Sequence, residues 1–219
     1  MVRYLSFILL VDTAGKRIYN RKKKGAGKEE RNVKEKLLND FAEVPIVAAA
    51  KSAGELEHCL KSKSRVIFVL FGDICKIAGV VDQIKAAGKI AIVHLDLVDG
   101  LAPKDVSVDF IAGQTKADGI ISTKSSLIRY AHQKGLLTIQ RYFLLDSRVL
   151  ENIAKTASPA DFLEVLPGVM PKIIHLLAET TGKPIIAGGM IRDKEDVLAA
   201  LSAGAVAISS TNSKVWFVE

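Results

Sequence analysis

The chain has 219 residues, 49% of them hydrophobic, which suffices for one domain with a large buried core. Its net charge of +7 sits at one end: residues 1–40 hold 11 Lys and Arg against 5 Asp and Glu, and residues 41–219 hold 20 against 19. Net charge therefore gives no ground for assigning the body to RNA or DNA, and two cysteines, Cys59 and Cys75, exclude a disulfide framework.

The first apolar run, "YLSFILLV" from Tyr4, is too short to span a bilayer, and no small-residue cleavage site follows it. No membrane attachment is expected, and the free thiols fit a reducing, cytoplasmic setting. Next comes "GKRIYNRKKKGAGKEERN", rich in glycine and charge, which reads as a poorly ordered basic extension over residues 1–32. A basic RNA-contacting arm is the alternative. So is a start of translation near Val33, since no Met lies between Met1 and Met170.

A regular pattern begins at Val33, where Val33 to Phe41 reads as a short helix that can cap a barrel floor. Eight strand-like runs follow: "PIVAAA" from Pro45, "VIFVLF" from Val66, "IAIVHLD" from Ile90, "DGIIST" from Asp118, "LLTIQR" from Leu136, "DFLEVLP" from Asp161, "PIIAGG" from Pro184 and "AVAISS" from Ala205. Near-continuous apolar character marks strands buried on both faces, as in a parallel sheet. Between them lie amphipathic runs such as "SAGELEHCLKSK", "SSLIRYAHQKG" and "DKEDVLAALSAG". Several stop at a glycine: Gly88, Gly135, Gly182 and Gly204. The pattern predicts an α/β fold, a single compact (βα)8 TIM barrel over residues 33–219. A doubly wound open sheet is the alternative.

In such a barrel, function sits at the C-terminal ends of the strands. Gly188-Gly189 and Ser210-Thr211 end the seventh and eighth, where barrels most often bind phosphate. There glycine lets backbone approach a ligand, and a following helix N-terminus adds amide donors and a positive dipole. Period-two alternation places His94 and Asp96 on one face of the third strand, as acceptors for ligand hydroxyls or as a structural pair. Glu164 ends the sixth strand, either as a ligand acceptor and base or in an ion pair with Arg141 or Lys124. Gln140 joins the ring of polar groups, while Lys51, Lys124 and Arg192 are candidate contacts to an anion or to RNA. Too few His and carboxylate groups stand at strand ends to suggest a metal site, and no cofactor is expected.

Five stretches in order, "HLDLVDGL", "DGIISTKSS", "TIQRYFLLDS", "EVLPGVMP" and "IIAGGMIRDKEDVLAALSAGAVAISSTNSKVW", resemble the glycerol uptake operon antiterminator regulatory proteins. The likeness spans about Val44 to Trp216. It implies a TIM barrel that binds glycerol 3-phosphate as effector and contacts leader mRNA, so that transcription reads past a terminator without turnover of the ligand. It assigns Gly188, Gly189, Ser210 and Thr211 to the phosphate, and His94, Asp96, Gln140, Arg141 and Glu164 to the glycerol hydroxyls or to the mouth. Residues 1–32 have no counterpart in that pattern.

Two other readings stand beside this one. A barrel enzyme of isomerase or lyase type would use Asp96 and Glu164 as acid and base on a small phosphorylated metabolite. A metal phosphodiesterase is the third. No RNP motif, GXXG clamp or aromatic platform marks an RNA site, and the sequence leaves open whether the chain is a homo-oligomer.

Overall fold

The computed structural model describes residues 10–11, 17–18, 28–156 and 158–217. The extension expected to be unstructured, with its candidate RNA arm, lies mostly outside the described residues. Within it, β1 (Leu10–Val11) pairs antiparallel with β2 (Arg17–Ile18). Helix α1 spans Lys28–Glu43 and so starts before the expected Val33, consistent with the good helix propensity of Lys, Glu and Arg.

All eight expected strands form, and they close into one parallel barrel. They are β3 (Ile46–Ala50), β4 (Val66–Val69), β5 (Ile90–His94), β6 (Gly119–Ser122), β7 (Leu137–Phe143), β8 (Phe162–Leu166), β9 (Ile185–Gly188) and β10 (Ala205–Ser210). β10 pairs with both β9 and β3, which closes the ring and excludes the open sheet. The helices between them are α2 (Ala53–Lys61), α3 (Ile77–Ala86), α4 (Asp105–Gln114), α5 (Ser125–Gln133), α6 (Ser147–Lys155), α7 (Pro171–Thr181) and α8 (Lys194–Ser202). The four stop glycines all have positive φ, from 61° at Gly182 to 104° at Gly204.

Alternation along the strands builds two apolar layers. Ala48, Ile67, Val93, Ile120, Val165 and Ala187 face the helices. Val47, Phe68, Ile92, Ile139, Phe162 and Ile186 fill the barrel. Leu37 and Phe41 of α1 join the inner cluster from below, and Phe41 meets Phe162 edge-on at 5.8 Å. The floor is thus plugged as expected, and the polar residues collect at the opposite end. No described helix is long and apolar enough to cross a membrane.

Candidate ligand site

The inner wall of the mouth rests on one buried ion pair. Leu137 and Ile139 face the barrel interior, so period two turns Arg141 inward as well; Phe162 does the same for Glu164. The two residues stand in register on β7 and β8. Arg141 Nε donates to Glu164 Oε2 at 2.6 Å, and Nη2 donates to Oε1 at 3.2 Å. Ser209 Oγ donates to the same Oε1 at 2.6 Å. The Glu164 side chain is completely buried and that of Arg141 is 9% exposed. The sequence left Glu164 between a ligand role and an ion pair; here it makes the pair with Arg141.

Gly188 serves this network. A β-carbon there would overlap Ser209 Oγ and stand 3.0 Å from Glu164 Oε1. Only glycine lets the carboxylate and the hydroxyl meet beneath β9.

Above the pair opens a cavity of about 280 Å³, near the roughly 300 Å³ lower end for small-molecule sites. Gly189, Met190, Ile191 and Arg192 line one side, and Ser209, Ser210, Thr211 and Asn212 line the other. Arg141 and Glu164 lie at its base with apolar Ala49, Leu70 and Leu166. Gly189 and Met190 both have positive φ, 73° and 63°, so the chain turns sharply over the opening. Asn212 Nδ2 donates to the Arg192 carbonyl at 3.0 Å and ties the two walls together. Trp216 Nε1 donates to the Ser210 carbonyl at 2.7 Å, which anchors the second wall from behind.

The N-terminus of α8 is capped in part by the chain itself. Asp193 accepts from the Asp196 amide at 3.0 Å, and Asp196 accepts from the Arg192 amide at 2.8 Å. Carboxylates of the chain itself therefore cap this helix. The two loops and the exposed Arg192 offer further polar groups to an anion.

Six of the residues singled out in the sequence meet at this cavity: Arg141, Glu164, Gly189, Ser210, Thr211 and Arg192, with Gly188 directly beneath. Others stand elsewhere. Gln140 faces the helical layer, where its Oε1 accepts from Ser158 Oγ at 2.7 Å, because alternation turns it opposite to Arg141. Asp96 does not share a strand face with His94. The strand ends at His94, and a 3-10 turn over Leu95–Leu97 swings Asp96 toward β6. It accepts there from Ser122 Oγ at 2.7 Å, the Thr123 amide at 2.7 Å and Thr123 Oγ1 at 2.8 Å. Lys51 is exposed, with its Nζ 4.0 Å from Glu55, and Lys124 is exposed at the start of α5.

His94 lies inside the barrel in line with Ile92, 3% exposed, and its Nδ1 has no hydrogen-bond partner. Burial, and then the nearby Arg141 charge, pushes its pKa down to about 4, so the imidazole is neutral at physiological pH. Asp96 titrates below its ordinary range: burial opposes this, but the Thr123 and Ser122 donors outweigh it.

Ser209 was the inner-wall residue that sequence reasoning missed. β10 shifts register between Ala205 and Ala207, so Val206 and Ala207 both join the inner cluster. The bulge reverses the parity beyond it and turns Ser209, not Ser210, toward Glu164. Among the described residues no group of three or more His, Cys, Asp or Glu is placed to hold a metal ion. Cys59 is buried, which raises its thiol pKa to about 12, and Cys75 is exposed outside the cavity.

A family model of glycerol-3-phosphate responsive antiterminators matches residues 46–216, from the first barrel strand to the tryptophan behind the cavity. The chain belongs to this family. Its similarity extends to a solved glycerol uptake operon antiterminator regulatory protein from Listeria monocytogenes, with 32% identity and a TM-score of 0.75 over 79% of this chain and 95% of that one. A glycerol uptake operon antiterminator-related protein from Thermotoga maritima gives 28% identity and a TM-score of 0.70 over 78% and 96%. An uncharacterized Escherichia coli K12 protein, YgcP, is 42% identical over 82% of this chain and 95% of its own length. In this antiterminator-family chain the matched region holds the whole barrel and every cavity-lining residue.

Proposed function

We propose that this chain is a transcription antiterminator whose effector is glycerol 3-phosphate. In this reading the ligand enters the mouth cavity, its phosphate lies between the Gly189–Arg192 and Ser210–Asn212 loops, and its glycerol end points to Arg141 and Glu164. The observation that carries the reading is the joined pair of loops above a polar base, in a chain of this family. A phosphate beside Arg192 and the loop amides is favourable because N–H donors aimed at an anion form charge-assisted bonds. The hydroxyls of a small polyol suit a base that offers both carboxylate oxygens and guanidinium N–H groups.

A ligand sensor rather than an enzyme fits the chemistry of the carboxylates. Glu164 is bound by Arg141 and Ser209, and Asp96 by Ser122 and Thr123. In this reading both carboxylates hold the mouth in shape, whereas the isomerase or lyase reading needs one of them to take a proton from the substrate. Ligand capture would instead order the two loops and shift the protein toward a state that binds leader mRNA of glycerol-utilisation genes.

The test is a calorimetric titration with glycerol 3-phosphate, with glycerol and inorganic phosphate as controls, and assay of the recovered ligand. Saturable binding with the ligand intact is expected, followed by ligand-dependent retardation of leader RNA on a gel. Conversion of the ligand would favour the enzyme, and no binding would remove the glycerol 3-phosphate assignment.

A further inference from the structure

The mouth carries an apolar rim, of which the ligand cavity uses only Met190. Leu145 is 85% exposed, Met190 68% and Phe143 48%. Leu97, Ile74 and Val169 are exposed by more than a third. All six end barrel strands or stand on the loops that follow them. They form two arcs. The loops after β7, β8 and β9 touch: the Leu144 amide donates to the Leu166 carbonyl at 2.7 Å, and the Gly168 amide donates to the Gly189 carbonyl at 3.0 Å. Across the mouth, the Ile74 amide donates to the Asp99 carbonyl at 2.9 Å and joins the loops after β4 and β5. Exposed apolar side chains gathered at one end of a domain mark an interaction surface.

Charge decides what fits it. Between the end of each barrel strand and the next helix, or Val215 after β10, stand six cationic residues and five anionic ones. The cations are Lys51, Lys76, Lys104, Lys124, Arg192 and Lys214; the anions are Asp73, Asp96, Asp99, Asp146 and Asp193. A nucleic-acid surface needs a clear basic excess to neutralise phosphates. This rim lacks one. A two-fold interface sets one patch against itself, which requires apolar matter to meet apolar matter and both signs of charge to be present. The rim meets both conditions.

We infer that the mouth is the pairing surface of a homodimer, in which a second copy of this chain covers the two apolar arcs. Two ligand cavities then face each other across the interface, and Met190 and Arg192 belong both to cavity and to rim. Ligand affinity and dimer affinity become linked, each altering the other by the same factor.

Sedimentation of the full chain without ligand, over a wide range of concentration, tests the pairing apart from the effector reading. Leu145→Asp adds a charge at a solvent-facing position, so folding is retained, which circular dichroism checks. Leu176→Asp, on the outer face of α7 and away from the mouth, is the control. A dimer is expected for the wild type and for Leu176→Asp, and a monomer for Leu145→Asp. A wild type that stays monomeric overturns the inference, and so does a dimer broken by Leu176→Asp instead. Loss of RNA retention by Leu145→Asp in a monomeric wild type would also overturn it and assign the face to RNA.

Discussion

Arg141 holds Glu164 from the neighbouring strand through two N–H donors, at 2.6 and 3.2 Å, with both side chains inside the barrel. Few charges are placed so far from water, and breaking such a pair leaves an uncompensated charge in the interior. Arg141→Met is therefore expected to cost about 3 kcal/mol or more in urea denaturation. Glu164→Gln keeps the shape, removes the charge and leaves Arg141 unmatched, so it is expected to destabilise as well. The Arg141→Met, Glu164→Leu double variant is expected to recover part of the loss.

The same network predicts an outcome at Gly188. A methyl group there displaces Ser209 Oγ from Glu164. Gly188→Ala is expected to cost about 1–3 kcal/mol, as overpacking does. Removing the obstructing hydroxyl with Ser209→Ala should restore part of that loss. Denaturation of the two single variants and the double variant gives a coupling energy, and additive losses would show that the clash is not the cause.

His94 makes stability depend on pH with a definite sign. In the unfolded chain it takes up a proton near 6.5, but in the folded chain only near 4, because burial and then Arg141 disfavour the imidazolium. Between those values the unfolded state binds more protons. Stability is fully present above about 6.5 and falls as pH drops toward 4. Asp96 adds a further loss at lower pH, since its folded pKa lies below the ordinary carboxylate value. His94→Gln should flatten the slope within the His94 window. An unchanged slope in denaturation midpoints would assign it to other groups.

The barrel was legible because buried parallel strands leave near-continuous apolar runs, and all eight survive in the fold. The site was legible only as a region. Which residue faces inward depends on parity, and parity depends on details that the runs do not encode. Gln140 and Arg141 are adjacent, yet one meets Ser158 in the helical layer and the other meets Glu164 in the barrel. The register shift in β10 reverses Ser209 and Ser210. Asp96 left the strand because three donors on β6 and its loop draw it away. Strand parity, a bulge and tertiary hydrogen bonds set these three outcomes in turn, and the apolar runs write none of them.

Arg192 is the exposed cation at the cavity rim, and its guanidinium is the group best placed to meet an anionic ligand. If glycerol 3-phosphate binds there, Arg192→Ala should weaken binding about tenfold, roughly 1.4 kcal/mol. The wild-type affinity should also fall with added salt, since an exposed ion pair is screened. Calorimetry at low and high salt checks both. An affinity unaffected by either change would place the phosphate deeper, against Arg141.

Met190 is the described non-glycine residue with positive φ, 63°, directly after Gly189 at 73°. A left-handed backbone costs an ordinary residue about 1–2 kcal/mol. Its side chain is largely exposed, so little packing offsets that cost. Glycine removes the strain but adds freedom to the unfolded chain, worth about 0.4–1 kcal/mol in the other direction. Met190→Gly should therefore be neutral or slightly stabilising, whereas β-branched Met190→Ile should destabilise. The strain also bears on the site, because this turn carries one wall of the cavity. A loop relieved of strain by glycine is freer to move, so Met190→Gly should bind the effector more weakly even where its melting temperature is unchanged. Equal stability with equal affinity would show that the turn is held by its neighbours, Gly168 and Asn212, rather than by its own backbone.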